Sequence, residues 1–225
     1  MSSGRVNPLW TYFGNNRTGP GIWKWEHYFA VYHRHFAKFI DTPVTVLEIG
    51  IYSGGSLGMW RSYFGDQCHV IGIDIKDACR VYESDFTSIY IGDQADRGFW
   101  KTLRSQIKEV DIVIDDGGHT PQQQRVTLEE VLPWLNSGGV YVCEDIHGID
   151  NPFAFYASRL AEHLNFQRKA SGPILECKAS DFQSAIQSVS FYPFCLVIEK
   201  TEQEVRRYAA PKHGTEWQPF FEKTC

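Results

Sequence analysis

A Rossmann-like, doubly wound α/β domain, with a mostly parallel seven-stranded sheet and an antiparallel last strand, is predicted by three stretches of this 225-residue chain. The first is Val110-Asp111-Ile112-Val113-Ile114-Asp115-Asp116-Gly117-Gly118-His119. Its near-continuous apolarity suits a parallel strand covered on both faces. The second is the run at 44–49, which leads into Glu48-Ile49-Gly50-Ile51-Tyr52-Ser53-Gly54-Gly55-Ser56 and then a helix over 57–64. Strand, glycine turn and helix open a nucleotide-binding unit: the glycines admit a ligand to the backbone, and the helix start offers free N–H groups. The third is a pair of β-rich runs, 183–191 and 194–199, separated by Tyr192-Pro193. A connection that short forces an antiparallel pair.

The remaining elements follow in order. Residues 1–22, rich in Gly, Asn, Pro and Arg, read as loop, with Trp10, Tyr12 and Phe13 packing it onto the domain. A helical pattern over 23–40 puts Phe29, Tyr32, Phe36 and Ile40 on one face, with His27, His33 and His35 solvated. Residues 1–42 thus form an N-terminal loop and capping helix before a domain over 43–200. A second strand at 69–74 ends in Asp74; a third at 88–91 precedes Gly92-Asp93-Gln94-Ala95-Asp96. Asp96 caps a helix bearing Phe99, Trp100 and Leu103. After His119, Thr120 is an N-cap, Pro121 the first helical residue, and Val126, Leu128, Val131, Leu132 and Leu135 the apolar face. The strand at 139–143 then ends in Glu144-Asp145, with His147 beyond. A right-handed crossover between the two acidic strands brings their ends to one sheet edge. Asn151-Pro152 starts a helix to about 164. The tail over 201–225 is expected to dock through Trp217, Phe220 and Phe221.

Composition narrows the function. Hydrophobic residues make up 43%, enough for a full core. A net charge of -5 and a pI near 5.9 give no footprint for nucleic acid. No apolar run reaches the roughly 18–20 residues that cross a bilayer, and the start lacks a signal-peptide pattern. Six cysteines (Cys68, Cys79, Cys143, Cys177, Cys195 and Cys225) contain no CxxC and read as free thiols in a reducing, cytoplasmic compartment.

Acids and a histidine at two neighbouring strand ends make a metal or acid/base site on spacing alone. Helix capping is the other role open to these acids, at Asp145 and Asp150. Asp74, about 20 residues past the glycine turn, is placed to bond a ribose diol; capping of the next helix is its other role. Gln94 has the amide to pair with an adenine edge. The turn is not G-x-G-x-x-G, which counts against a nicotinamide cofactor, and no 2-His-1-carboxylate spacing marks a non-haem iron centre.

The pattern resembles the class I S-adenosylmethionine-dependent methyltransferases over roughly residues 23–200. Within them it is most similar to the macrolide-sugar O-methyltransferases and to proteins called cephalosporin hydroxylases. The residues carrying this are Leu47-Glu48-Ile49-Gly50, Ser56-Leu57-Gly58-Met59-Trp60, Gly72-Ile73-Asp74-Ile75, Gly92-Asp93-Gln94, Asp115-Asp116-Gly117-Gly118-His119 and Glu144-Asp145. More distantly it resembles the catechol O-methyltransferases, whose glycine-turn tyrosine and serine match Tyr52 and Ser56. Their adenine-contacting glutamine matches Gln94.

That resemblance implies transfer of a sulfonium methyl to a small-molecule hydroxyl, on a sugar or another natural product, with S-adenosyl-L-methionine and Mg2+ or another divalent cation as cofactors. It implies a cofactor site at Glu48, Gly50, Tyr52, Gly54, Ser56, Asp74, Asp93, Gln94 and Asp115, and metal ligands at Asp116, Glu144 and Asp145. The catechol enzymes' catalytic lysine falls on His119, making His119 the candidate base. His147, His27 and Tyr28 are candidate substrate contacts. The family's N-terminal Asp-Lys pair departs here: Trp23 precedes Lys24, and Lys24 is given no role. No nucleic acid or membrane partner is expected, and a homo-oligomer stays open. A non-methylating relative, a cyclase or hydroxylase-associated protein in natural-product biosynthesis, is the rival reading.

Overall fold

Alternation along the first strand sets the layers. In β1 (Val44–Ile49), Val44 and Val46 enter one buried cluster and Leu47 and Ile49 the other. Both faces are therefore covered, as the continuous apolar runs require. The computed structural model describes residues 7–166, 176–211 and 213–214.

Ahead of β1 lie α1 (Pro8–Asn15) and α2 (Tyr28–Phe36), the latter extended by a 3-10 turn at Ala37–Phe39. Then follow α3 (Gly55–Phe64), β2 (Cys68–Asp74), β3 (Thr87–Ile91), α4 (Arg97–Gln106), β4 (Ile112–Asp115), α5 (Pro121–Val131) and β5 (Val140–Cys143). The remainder is α6 (Pro152–Ser158), α7 (Leu160–Leu164), β6 (Glu176–Lys178), α8 (Asp181–Ala185), β7 (Ile186–Tyr192), β8 (Cys195–Lys200) and β9 (Arg207–Ala209). The main sheet has seven strands in the order β3-β2-β1-β4-β5-β8-β7, and only β8 pairs antiparallel with its neighbours β5 and β7. Leu9, Phe29, Tyr32, Phe36, Trp60 and Phe64 from α1, α2 and α3 fill one side. Trp100, Val126, Leu128 and Phe153 from α4, α5 and α6 fill the other.

Register does the work that matters for the site. Ile49 is level with Ile73 on one side and with Asp115 on the other, and Asp115 is level with Cys143. The next residues, Gly50, Asp74, Asp116 and Glu144, therefore gather at the carboxyl edge of the sheet, where such sheets bind ligands.

Several sequence expectations are corrected. Residues 8–15 are helix, because Asn7 accepts from the amides of Leu9 and Trp10 while Pro8 supplies a ready-made first turn. The helix expected from residue 23 begins only at Tyr28; 23–27 are non-helical, and the side chains of Lys24 and Trp25 reach into the sheet edge instead. His35 is buried between Glu199 (3.3 Å) and Tyr192 (2.8 Å), and His33 bonds the Tyr63 hydroxyl at 2.8 Å. Gln183 begins no strand: with Ser180 it forms the capping box of α8. The helix after Asn151 is broken into α6 and α7. Residues 207–209 pair with 176–178 as a small second sheet. The tail aromatics Trp217, Phe220 and Phe221 lie outside the described residues.

The cap ahead of α5 is as expected, and it is complete. Thr120 Oγ1 accepts from Gln123 N at 3.3 Å while Gln123 Oε1 accepts from Thr120 N at 3.3 Å. Thr120→Ala should cost about 1 kcal/mol in urea unfolding. A change within measurement error would mean the cap is redundant with packing.

Candidate active site

The glycine turn after β1 exists because the backbone passes very close to β4. Gly50 has φ +88, and a Cβ there would lie 2.0 Å from the Asp116 carbonyl oxygen. A side chain is excluded twice, by conformation and by space. A second close approach fixes the Asp-Asp-Gly-Gly-His turn. Gln94, 5% exposed, accepts from Gly118 N at 2.7 Å and donates to Asp115 Oδ1 at 2.8 Å and to Thr127 Oγ1 at 3.0 Å. Both ends of its amide are thus committed to protein groups, and a Cβ on Gly117 would lie 1.9 Å from its oxygen.

These edges enclose one cavity of about 980 Å³. On one side it is lined by Gly50, Tyr52, Ser56, Asp74, Asp93 and Gln94; on the other by Asp116, His119, Glu144, Asp145 and His147. Glu48 and Asp115 do not line it; they are 0% and 1% exposed, behind the wall. Asp74 Oδ2 accepts from Ile51 N (3.0 Å) and Tyr52 N (3.2 Å), and Oδ1 from Lys76 N at 2.9 Å. Those bonds aim the carboxylate and leave lone pairs towards the cavity. Asp93 is exposed and accepts from Ala95 N. The ring of Tyr52 is 73% exposed over the mouth, 6.3 Å from that of Trp23.

The acidic side holds the residue that sequence reasoning left without a role. Lys24, its side chain 2% exposed, places Nζ 2.7 Å from Asp116 Oδ2, 3.1 and 3.2 Å from the two Glu144 oxygens, and 3.3 Å from Glu48 Oε1. Burial alone would discharge this ammonium, but Asp116, Glu144 and Glu48 outweigh it and hold its pKa well above the ordinary lysine value. Tyr32 donates to Glu144 Oε1 at 2.6 Å, and Ser56 donates to Glu48 Oε2 at 2.7 Å. Glu144 is therefore turned inward, away from the cavity mouth. Burial, then the neighbouring Asp116, raise the Glu144 pKa; burial also raises that of Glu48.

Asp145 turns the other way. Its Oδ1 accepts from Trp25 Nε1 and from the Tyr28 hydroxyl, each at 3.0 Å, and Tyr28 in turn accepts from Asp145 N at 3.1 Å. His147 Nε2 stands 3.6 Å from the same oxygen. His27 instead reaches the Pro193 carbonyl at 3.0 Å. Three atoms remain uncommitted and converge: Asp116 Oδ1, Asp145 Oδ2 and His119 Nε2. The ring nitrogen lies 3.9 Å from the first and 3.7 Å from the second. Ligand atoms of these three residues lie within 4.8 Å of one another. His119 and Asp145 both have φ +55, a conformation few residues other than glycine adopt. Such strain costs about 1–3 kcal/mol per residue and clusters at functional sites.

The donor chemistry fits a divalent cation. One ammonium meets three carboxylates (Glu48, Asp116 and Glu144) while Asp145, turned to Trp25 and Tyr28, stands beside them, so acids outnumber the buried base. Two carboxylate oxygens with an open face are what a hard cation takes, and protein donors already fix the far oxygen of each.

Comparison with known proteins points to methyltransferases. Residues 47–146 match the family model described as a methyltransferase domain. The chain is 39% identical over 207 residues to the 8-demethyl-8-alpha-L-rhamnosyl tetracenomycin-C 2'-O-methyltransferase of Streptomyces olivaceus, covering 82% of this chain and 53% of that protein. It is 37% identical over 132 residues to the demethylmacrocin O-methyltransferase of Streptomyces fradiae, covering 55% of this chain and 33% of the relative. The chain thus spans about half the length, or less, of these curated relatives. Among solved structures it superposes on the MycE methyltransferase of the mycinamycin biosynthetic pathway, in complex with Mg and SAH. The TM-score there is 0.72 at 26% identity, over 88% of this chain and 55% of that one. Residues 47–146 are thus similar to a methyltransferase domain, in a chain with the class I methyltransferase fold.

Proposed function

We propose that the chain is an S-adenosylmethionine-dependent O-methyltransferase that acts, with a divalent cation, on a small-molecule hydroxyl such as that of a sugar-bearing natural product. The observation that carries this is the single cavity joining the glycine turn and Asp74 to the Asp116–His119–Asp145 cluster. The relatives point the same way: those compared above are O-methyltransferases, and the MycE structure holds Mg and SAH.

S-adenosylmethionine supplies an electrophilic sulfonium methyl, and a divalent cation supplies positive charge to the acceptor hydroxyl. What the chain contributes is alignment, which in well-oriented intramolecular models is worth roughly 7–11 kcal/mol. Gly50, Tyr52 and Ser56 border the methionine end, with Gly54 behind them against the Tyr82 ring; Asp74 takes the ribose diol, and Asp93 and Gln94 flank the adenine. Gln94 serves by clamping the Gly117–Gly118 turn, since its amide is already bonded. Glu48 and Asp115 act from behind, through Ser56 and Gln94. Asp116 and Asp145 hold the cation; Glu144, expected as a third ligand, is instead turned to Lys24 and Tyr32. His119 takes the acceptor's proton, and His147 and Tyr28 line the approach of the acceptor; His27, bonded to the Pro193 carbonyl, stands outside the cavity wall.

Titration calorimetry tests the reading. Asp74→Ala should weaken S-adenosylmethionine binding by about tenfold or more, the loss of hydrogen bonds to a charged group. Unchanged affinity would remove Asp74 from the cofactor site, and absence of binding by the wild type would sink the methyltransferase reading itself.

A further inference from the structure

Lys24 is the buried cation that the proposed chemistry does not use. It sits on the same carboxylate as the open cation position: Asp116 gives Oδ2 to Lys24 and keeps Oδ1 for the cavity. Glu144, one residue from Asp145, is absent from the converging donor atoms because Lys24 and Tyr32 hold both its oxygens inward. The acidic centre is therefore two cation positions side by side. The inner one is bounded by Glu48, Asp116 and Glu144 and filled by the ammonium; the outer is bounded by Asp116 and Asp145.

We infer that Lys24 is a built-in cation that keeps Glu144 out of the outer position and so limits how tightly that position holds a divalent ion. This rests on the cation site proposed above. Its physical basis is plain charge counting. An ammonium sharing Asp116 with a divalent ion repels that ion and withdraws ligand charge from it. The strap that delivers Lys24 is anchored independently of the ammonium. Asn16 Nδ2 donates to Pro20 O at 3.0 Å, Gly55 N to Gly21 O at 3.1 Å, and Trp25 Nε1 to Asp145 at 3.0 Å. Truncating the lysine thus removes a charge while its segment stays tied down at both ends.

Calorimetric titration of Mg2+ into the full chain separates this from a merely structural lysine. Lys24→Met should bind Mg2+ about tenfold more tightly than wild type, or better, because Glu144 becomes free to join the site. The double variant Lys24→Met/Glu144→Gln should return to near wild-type affinity. A lysine that only props the fold would give the opposite sign, a weaker site on truncation. Should Lys24→Met fail to fold, Lys24→Gln, neutral but able to bond the carboxylates, is expected to show the same gain. Equal or weaker Mg2+ binding in either single variant overturns the inference, as does a gain that survives Glu144→Gln. A wild type that binds no Mg2+ would instead remove the cation reading, and the inference with it.

Discussion

His119→Ala is expected to lower turnover by roughly 10²–10⁴-fold, the usual contribution of a positioned general base, while Mg2+ affinity stays close to that of wild type. The geometry supplies the reasons. Nε2 is nearer to Asp145 and Asp116 than to any other acid, at 3.7 and 3.9 Å, yet too far from either to be spent in a hydrogen bond. Nδ1 has no hydrogen-bond partner among the described residues. The ring is 37% exposed to the cavity, so an acceptor reaches it, and two carboxylates stand by to stabilise the imidazolium once it forms. Its direction is fixed from both sides, by the Gln94 clamp on Gly118 and by the Thr120 cap. Added imidazole should restore part of the lost rate, because a small base can enter the space the side chain leaves. Loss of Mg2+ affinity in step with turnover would reassign His119 as a cation ligand. Near-wild-type turnover would remove it from the mechanism.

Legibility differed sharply between the sheet edge and what closes over it. The ends of β1, β2, β4 and β5 could be read because continuous apolar runs stop at Gly50, Asp74, Asp116 and Glu144, and parallel pairing aligns such stops. The α5 cap was legible for the same reason: Thr-Pro-x-Gln is a local signal. Local chemistry also misled. Ser180 and Gln183 carry an equally good capping box, but the β-rich residues after it concealed it. Asn7-Pro8 was likewise an N-cap signal, hidden in a stretch whose glycines and asparagines read as loop.

Lys24 was out of reach for a different reason. It meets Glu48, Asp116 and Glu144, which are 24, 92 and 120 residues away. No periodicity reports a contact of that kind, and the segment around it has none. The helical spacing of Phe29, Tyr32 and Phe36 also ran smoothly back to Trp23, so the non-helical strap was absorbed into a helix. The signal was one of charge: four acids at one sheet edge call for positive counter-charge, and Lys24 is the lysine or arginine nearest in sequence to the start of α2. Which acids face a cation was likewise a matter of rotamers, with Glu144 turned in and Asp145 turned out by residues of α2 and the strap.

The second large effect is a pH dependence of stability that Asp115→Asn should abolish. Asp115 is 1% exposed; burial, reinforced by Asp116, pushes its carboxyl up to about 7, although Gln94, Gly117 and Tyr141 hydrogen bonds pull the other way. In the unfolded chain the same group titrates near the ordinary aspartate value of about 4. Between those values the folded protein keeps a proton that the unfolded chain has released. Its contribution to stability is therefore fully present below about pH 4 and declines as pH rises to about 7, with a slope near 1.4 kcal/mol per pH unit and a total on the order of 4 kcal/mol. Asparagine has no proton to lose, and its carbonyl can still accept from Gln94 Nε2. Urea unfolding in chelator across pH 4–8 should therefore show the two proteins similar at the acid end and Asp115→Asn increasingly the more stable towards pH 8. Glu48 and Glu144, whose pKa values are also raised, act alike in both proteins and cancel in the difference. Parallel curves would mean that Asp115 stays ionised throughout, with its hydrogen bonds outweighing its burial.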